Sequence, residues 1–128
     1  MPVKGKVLLM DDEQIIQDVT HEVLKFLGYD VSFAKDGLVA IELYKKEKSS
    51  EAPFDIVILD LSVPRGLGGK ETIEQLRKFD PLVKAIISSG YSNDPVVQNF
   101  SDYGFSQRLA KPYKIDELKN ILEQLMKK

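Results

Sequence analysis

Short apolar runs along the chain alternate with segments in which apolar residues recur at helical spacing. The two most continuous runs, Val7–Met10 and Phe54–Leu59, are rich in Val, Ile and Leu. Such runs are typical of strands that are covered on both faces of a parallel sheet. Three weaker runs complete the five predicted strands: Val31–Ala34, Ala85–Ile87 and Phe105–Ala110.

Five segments with a helical period follow these runs, and most of them carry a start or stop signal. Asp36 and Asp94 are suited to cap the second and fourth helices, and Gly28 is suited to end the first. Four apolar residues of the first helix share one face: Ile16, Val19, Val23 and Phe26. The predicted helices span residues 13–27, a segment after Asp36, residues 70–79, the segment between Asp94 and Gly104, and residues 114–126.

Five strands that are each followed by a helix, with connections this short, predict a parallel sheet with helices on both faces. Internal repeats, low-complexity stretches and linkers are missing from the pattern. We therefore expect an α/β fold in which residues 1–128 form a single domain.

Composition and charge narrow the possible functions. The formal net charge is −2 and the isoelectric point is near 5.4. These values argue against general binding to nucleic acid or to anionic membranes, because both need a basic face. The sequence has no cysteine, which excludes disulfides and thiolate metal sites. The apolar run near the N-terminus is too short for a signal peptide or a membrane span. We expect a cytoplasmic protein without membrane insertion.

Polar side chains follow four of the five predicted strands. In an open α/β sheet, ligands bind beyond the carboxyl ends of the strands. Taken singly, the acidic residues after the first strand could cap a helix and Asp60 could cap a turn. Their occurrence at one sheet edge predicts a shared site instead. The residues are Asp11, Asp12 and Glu13 after the first strand, Asp60 after the third, Ser88 and Ser89 after the fourth, and Lys111 after the fifth.

The carboxylates of this group predict a magnesium site. Two carboxylates about 4 Å apart repel by roughly 4 kcal/mol at an effective dielectric constant of about 20, so converging carboxylates call for a cation. Oxygen ligands suit Mg²⁺, which keeps coordination positions for phosphate oxygens. Lys111 adds a positive charge and Ser89 a hydroxyl donor. The set predicts phosphoryl transfer to Asp60, which lies between the acidic pair and the lysine.

Four segments, in this order and with similar separations, resemble the receiver domain of two-component response regulators: "VLLMDDE", "DIVILDLSVPRGLGG", "IISSGYS" and "LAKPY". The resemblance covers essentially the whole chain and includes features of receivers from hybrid sensor kinases. It implies a flavodoxin-like (βα)₅ fold with a central five-stranded parallel sheet in the order 2-1-3-4-5. It also implies that the chain accepts a phosphoryl group from a phosphohistidine in a reaction that needs Mg²⁺.

The resemblance assigns a role to each matching residue. Asp60 matches the phosphoacceptor, Ser89 the switch hydroxyl and Lys111 the lysine of the catalytic set. Ser88 aligns one position early and is expected to be structural. The Lys111–Pro112 bond is expected to be cis, as is common in the family. The implied magnesium ligands are Asp11, Asp12, Asp60 and the backbone carbonyl of Ser62.

The chain departs from the family pattern at Arg108, three residues before Lys111, where receivers usually carry Tyr or Phe. An arginine is costly to bury in the pocket that such a ring enters on activation. The usual relay from hydroxyl to aromatic ring is therefore in doubt. Our hypothesis is that this face signals by another route, with Arg108 as a direct electrostatic contact.

The resemblance also implies the partners: a sensor histidine kinase or phosphotransfer domain, and a downstream protein. It implies no direct contact with nucleic acid and either a monomer or a phosphorylation-linked dimer. The domain would catalyse only its own phosphorylation and dephosphorylation and would not otherwise be an enzyme. Three alternatives remain open: a degenerate receiver that binds a partner without phosphorylation, a flavodoxin-like nucleotide binder, and a haloacid-type phosphatase. The nucleotide binder lacks a phosphate cradle after the first strand, and the phosphatase would need an aspartate where Ser62 stands.

Overall fold

The computed structural model describes residues 3–127, whose strands form a parallel sheet in the order β2-β1-β3-β4-β5. The fold predicted from the sequence is confirmed, including the strand order implied by the resemblance. The strand order reverses at β1 and β3, so their carboxyl ends flank the cleft where ligands bind in such sheets. The strands are β1 Gly5–Met10, β2 Tyr29–Ala34, β3 Ile56–Asp60, β4 Ala85–Ser89 and β5 Gln107–Ala110.

Helices cover both faces of the sheet and divide the core in two. One buried cluster joins α1 and α5 to the sheet, and the other joins α2, α3 and α4 to its opposite face. Strands β1, β3 and β4 alternate side chains into the two clusters, which is why the runs 7–10, 56–59 and 85–87 are continuously apolar. The helices are α1 Gln14–Leu27, α2 Gly37–Lys48, α3 Gly69–Phe79, α4 Pro95–Gln98 and α5 Ile115–Met126.

The face that we predicted for α1 is only partly correct: Val23 packs against the core and Ile16 is half-buried, but the other two residues are not. Val19 and Phe26 are 58% and 81% exposed, whereas the helix buries Thr20, Leu24 and Leu27. The two faces are adjacent, and both contain apolar residues at helical spacing, so the pattern did not fix the rotation of the helix. As a result, α1 presents apolar side chains to the surface.

The fourth predicted helix is shorter than expected. It begins as predicted, with the Asp94 side chain accepting a hydrogen bond from the Val96 backbone N–H at 2.9 Å, but α4 ends at Gln98. After a break at Asn99, the chain forms a separate 3₁₀ turn over Phe100–Tyr103. β-Branched residues and residues with short polar side chains have low helix propensity, which explains the break.

Close packing places the start of α3 against the end of β3. A Cβ atom on Gly69 would lie 2.7 Å from Ile87 Cδ1 and 3.0 Å from the Asp60 carbonyl oxygen. A larger residue at position 69 would therefore push the helix away from Asp60. The glycine-rich loop after β3 thus serves to fix the backbone around this aspartate.

Candidate functional site

The carboxyl ends of the strands bring the predicted residues to one edge of the sheet. Asp60 lies opposite Ser88 in the β3–β4 pair, and Ser89 lies opposite Ala110 in the β4–β5 pair. The ladder continues one residue past β5, where the Lys111 N–H donates to the Ser89 carbonyl at 3.0 Å. Lys111 therefore follows the last strand directly into the site, and its bond to Pro112 is cis, as expected.

Lys111 connects two buried carboxylates. Its Nζ atom lies 2.7 Å from Asp11 Oδ2 and 3.3 Å from Asp60 Oδ1. Asp11 is fully buried, Asp60 is 5% exposed, and the Lys111 side chain is 15% exposed. One ammonium group thus faces two carboxylates in a region that is largely shielded from water.

The Asp11 carboxylate is held by a backbone N–H on one side and by the Lys111 ammonium on the other. Its Oδ1 atom accepts the backbone N–H of Glu13 at 2.9 Å, which closes an Asx-type turn before α1 and is not a helix cap, because the helix begins after Glu13 without a side-chain cap. Among residues 3–127, its buried Oδ2 atom accepts no well-directed hydrogen bond and meets only the Lys111 ammonium. A buried carboxylate oxygen in this state is suited to bind a cation.

Asp12 completes the acidic group. One carboxylate oxygen from each of Asp11, Asp12 and Asp60 lies within 4.8 Å of the others. Asp12 is exposed whereas the other two are buried, so the group opens to solvent on one side. Oxygen donors from carboxylates, with room for water, match the preference of Mg²⁺. The residues therefore fit the ion that we predicted from the sequence.

The surroundings perturb the ionisation of Asp60 and Lys111. Burial raises the pKa of Asp60 to about 6; the Lys111 ammonium opposes this rise and the Asp11 charge adds to it. Burial would lower the pKa of Lys111, but the carboxylates of Asp11 and Asp60 outweigh it and hold that pKa above its ordinary value. The lysine therefore stays charged, and Asp60 carries its charge at a free-energy cost.

An open cleft of about 380 Å³ lies over Asp60. The Ser62 backbone N–H approaches Asp60 Oδ1 at 3.4 Å, and the Ser89 hydroxyl accepts the Tyr91 backbone N–H at 2.9 Å. The structure thus brings together the residues predicted to form the phosphoacceptor and magnesium site, and their roles remain predictions. The cleft is lined by Glu13, Asp60, Ser62, Ser89, Gly90, Tyr91 and Lys111.

Sequence reasoning missed one contact at the edge of the site. The Ser88 hydroxyl, which we expected to be structural, lies 2.7 Å from the Tyr113 hydroxyl across the β5–α5 connection. A tyrosine two residues after the lysine gave no signal by itself, because its ring also suits the apolar boundary of the core. Arg108 stands at the position where receivers usually carry an aromatic ring, and its side chain is exposed on β5.

Residues 7–123 match the family model of the response regulator receiver domain. The chain belongs to the receiver domain family of two-component systems. Its most similar relatives include sporulation initiation phosphotransferase F of Bacillus subtilis, which is 29% identical over 94% of this chain and 93% of that protein. Other relatives are much longer: the chain spans 12% of the sensor kinase CckA of Brucella abortus, to which it is 31% identical.

Solved receiver structures support both the fold and the magnesium prediction. The response regulator TrrA of Thermotoga maritima, solved in complex with Mg²⁺-BeF, has a TM-score of 0.81 and 27% identity over 94% of this chain and 98% of that one. The receiver domain of a sensor histidine kinase from Pseudomonas aeruginosa has a TM-score of 0.80 and 25% identity over 97% and 98% of the two chains. That structure has a magnesium ion in its active-site cleft.

The helices of this receiver domain are also informative about membranes. Within residues 3–127, every helix is too short or too polar to cross a bilayer.

Proposed function

We propose that this receiver domain accepts a phosphoryl group on Asp60 from the phosphohistidine of a histidine kinase or phosphotransfer domain. The observation that supports the proposal most directly is the buried Asp60 carboxylate, held between two further carboxylates and the Lys111 ammonium. A purely structural aspartate would not need neighbours that repel it. Asp60 lines the open cleft, which would give a phosphodonor access to its carboxylate.

The transfer is a displacement at phosphorus. An Asp60 oxygen forms the new P–O bond, and the P–N bond to the donor histidine breaks with its electron pair returning to the imidazole. The carboxylates of Asp11, Asp12 and Asp60, with the Ser62 carbonyl, would hold Mg²⁺, which when bound neutralises charge on the phosphoryl oxygens. Lys111 contributes a second positive charge, and the Ser89 hydroxyl donates a hydrogen bond to a phosphoryl oxygen.

The same residues would support hydrolysis of the acyl phosphate by water, which resets the domain. We therefore propose a switch that catalyses only its own phosphorylation and dephosphorylation and otherwise acts by binding a downstream protein. We further propose that it works in the cytoplasm, as a monomer or as a phosphorylation-linked dimer, without direct contact with nucleic acid.

The exposed apolar face of α1 supports docking of the phosphodonor protein beside the site. A donor must cover the rim of the cleft, and α1 begins three residues after Asp11. Near that rim, Ile15 is 75% exposed and Val19 is 58% exposed. Large apolar side chains in this arrangement are typical of a protein-binding surface. An Ile15→Ser variant should slow transfer from a phosphohistidine protein and leave phosphorylation by acetyl phosphate unchanged.

Intact-mass measurement after incubation with acetyl phosphate tests the proposal. With Mg²⁺ we expect one added phosphoryl group that hydroxylamine removes, as it does from acyl phosphates. EDTA and Asp60→Asn should each abolish the addition. Asp102→Asn, a change at an exposed aspartate on the 3₁₀ turn, should leave it intact. Binding of Mg²⁺ without phosphorylation by acetyl phosphate or by a phosphohistidine protein would contradict the proposal and favour a scaffold that acts without phosphorylation.

A further inference from the structure

Two consecutive serines end β4, and their hydroxyls lie on opposite faces of the sheet. Ile86 belongs to the buried cluster under α1 and α5, whereas Ile87 belongs to the cluster under α2, α3 and α4. Because side chains alternate along a strand, Ser88 faces α1 and α5 and Ser89 faces the other side. A structural change at the end of β4 can therefore be transmitted to either face of the sheet.

The face on the α4 side lacks the aromatic ring that receivers usually carry there. Arg108 lies opposite Ile87 in the β4–β5 register, so it shares a face with Ser89. Its side chain is exposed and far more costly to bury than a ring. In the usual relay an aromatic ring enters a pocket when the hydroxyl moves toward the phosphoryl group. Burying the Arg108 side chain in that pocket would cost too much free energy.

On the opposite face of the sheet, Ser88 already contacts an aromatic residue. Ser88 is fully buried, and its hydroxyl lies 2.7 Å from the Tyr113 hydroxyl. Burial raises the pKa of Tyr113 to about 12, so this hydroxyl keeps its proton at physiological pH. The Tyr113 ring packs on the α1–α5 cluster and lines an apolar groove of about 170 Å³ with Ile16, Val19 and Pro112.

The two residues that share this hydrogen bond are close in sequence to residues that would contact the phosphoryl group. Ser88 precedes Ser89, and its carbonyl accepts the N–H of Leu61, the residue after Asp60, at 2.9 Å. Tyr113 follows Lys111 by two residues, and Lys111 bridges Asp11 and Asp60. Transfer of negative charge to Asp60 would draw Ser89 and Lys111 toward the phosphoryl oxygens. The bond between Ser88 and Tyr113 spans the two segments that would move.

We propose that this chain transmits phosphorylation through the Ser88–Tyr113 pair to the groove between α1 and the β5–α5 connection, in place of a relay through position 108. The proposal rests on phosphorylation of Asp60. Tyr113 is a positioning residue in this scheme: its ring changes the shape of the groove when its hydroxyl bond to Ser88 is altered. The surface that reports the signal would then be the α1 side of the molecule.

Fluorine NMR of protein labelled with 3-fluorotyrosine tests the pair directly. The chain has five tyrosines, so the Tyr113 resonance can be assigned from the Tyr113→Phe variant. Beryllofluoride with Mg²⁺ mimics the phosphoryl group and gives its own resonance when bound. We expect the Tyr113 resonance to shift on addition of beryllofluoride with Mg²⁺ in the unmodified sequence and in Arg108→Ala. Ser88→Ala should lose most of this shift, and Ser88→Thr, which keeps the hydroxyl, should restore it.

Failure of this inference is distinguishable from failure of the proposed function. A bound beryllofluoride resonance together with an unmoved Tyr113 resonance would overturn the inference alone. So would an equal Tyr113 shift in Ser88→Ala and the unmodified sequence, because a merely structural hydroxyl would behave in that way. A missing bound resonance in the unmodified sequence would overturn the phosphoacceptor proposal and this inference with it.

Discussion

Two buried aspartates lie at opposite ends of the sheet, and their carboxylates are in different electrostatic environments. Asp60 stands at the carboxyl end of β3, and Asp80 follows α3 and precedes β4 at the amino end. They are 5% and 8% exposed, and each lies within ion-pair distance of a lysine. Their pKa values nevertheless move in opposite directions.

Asp80 is almost fully supplied with hydrogen-bond donors. Its Oδ2 atom accepts the Tyr44 hydroxyl at 2.6 Å and the Lys48 ammonium at 2.8 Å, and its Oδ1 atom accepts the Leu82 N–H at 3.1 Å. Burial would raise the pKa of Asp80, but these donors outweigh it and hold the pKa below its ordinary value. This carboxylate joins α2 to the end of α3.

Asp60 has fewer donors and an acidic neighbour, so burial dominates and raises its pKa to about 6. Two differences separate the aspartates: Asp80 has more donors directed at its charged oxygens, and Asp60 is surrounded by more protein and lies beside the Asp11 charge. Asp80 stabilises the fold, whereas the charge on Asp60 is held at some cost in stability, as we expect for the phosphoacceptor that we propose.

The largest effect should come from removing the satisfied carboxylate. Asp80→Ala leaves the buried Tyr44 hydroxyl and the Leu82 N–H without their acceptor, so the free energy of unfolding should fall by about 2–3 kcal/mol. Urea denaturation at neutral pH measures this change. Asp102→Ala, at an exposed position, is the control and should have almost no effect. Equal losses in the two variants would show that Asp80 is not a structural anchor.

Removing the charge at the other end should have the opposite sign. Asp60→Asn relieves burial of a charge beside Asp11, so without Mg²⁺ the free energy of unfolding should rise by about 1–2 kcal/mol. Saturating Mg²⁺ should narrow or reverse the difference, because the variant loses one ligand and gains less from binding. Thermal unfolding with EDTA and with Mg²⁺ compares both states. Destabilisation by Asp60→Asn in EDTA would contradict the contrast drawn between the two aspartates.

These two aspartates also show what the sequence could and could not predict. Asp60 follows a continuous apolar run, and the carboxyl ends of parallel strands converge, so its place beside Asp11 and Lys111 followed from topology. Asp80 precedes Pro81, and that pair indicated only the end of a helix. Its contact with Tyr44 on α2 joins residues 36 positions apart, which no local pattern encodes.

The same limit explains the two errors in the helices. Helical spacing in α1 showed that the helix is amphipathic, but it did not decide between the face with Val19 and the face with Leu24. The early end of α4 is accompanied by a side-chain bond from Asn99 Nδ2 to the Pro95 carbonyl at 3.1 Å, which the spacing of apolar residues does not predict. Distances between side chains at the site likewise required the packed structure.

Competition between protons and Mg²⁺ should sharpen the contrast further. Asp60 must lose its proton to act as a ligand, so affinity for Mg²⁺ should fall by up to about tenfold per pH unit below pH 6. Isothermal titration between pH 5 and about pH 8 measures the dependence. Asp60→Asn should bind more weakly with a flatter pH profile. An identical profile in both proteins would show that Asp60 does not titrate with metal binding.

The smallest effect should come from a single hydroxyl at Asp80. Tyr44→Phe keeps the ring contact with Phe54 and removes one donor, so at neutral pH the free energy of unfolding should fall by about 1 kcal/mol. Because the pKa of Asp80 is lowered by folding, its contribution to stability is complete above the pKa of the unfolded chain, about 4, and is lost as the pH falls through the folded value.

The difference between Tyr44→Phe and the unmodified protein should therefore shrink in acid, as the carboxylate becomes protonated and the hydroxyl loses a charged acceptor. Tyr29→Phe is the matched control, since Tyr29 is just as buried, at 4% exposure, and within residues 3–127 its hydroxyl makes no side-chain hydrogen bond. Urea denaturation from about pH 3 to pH 7 separates the two variants. A difference for Tyr44→Phe that stayed constant over this range would mean that packing of the hydroxyl, rather than its bond to a charged Asp80, is what stabilises this end of the sheet.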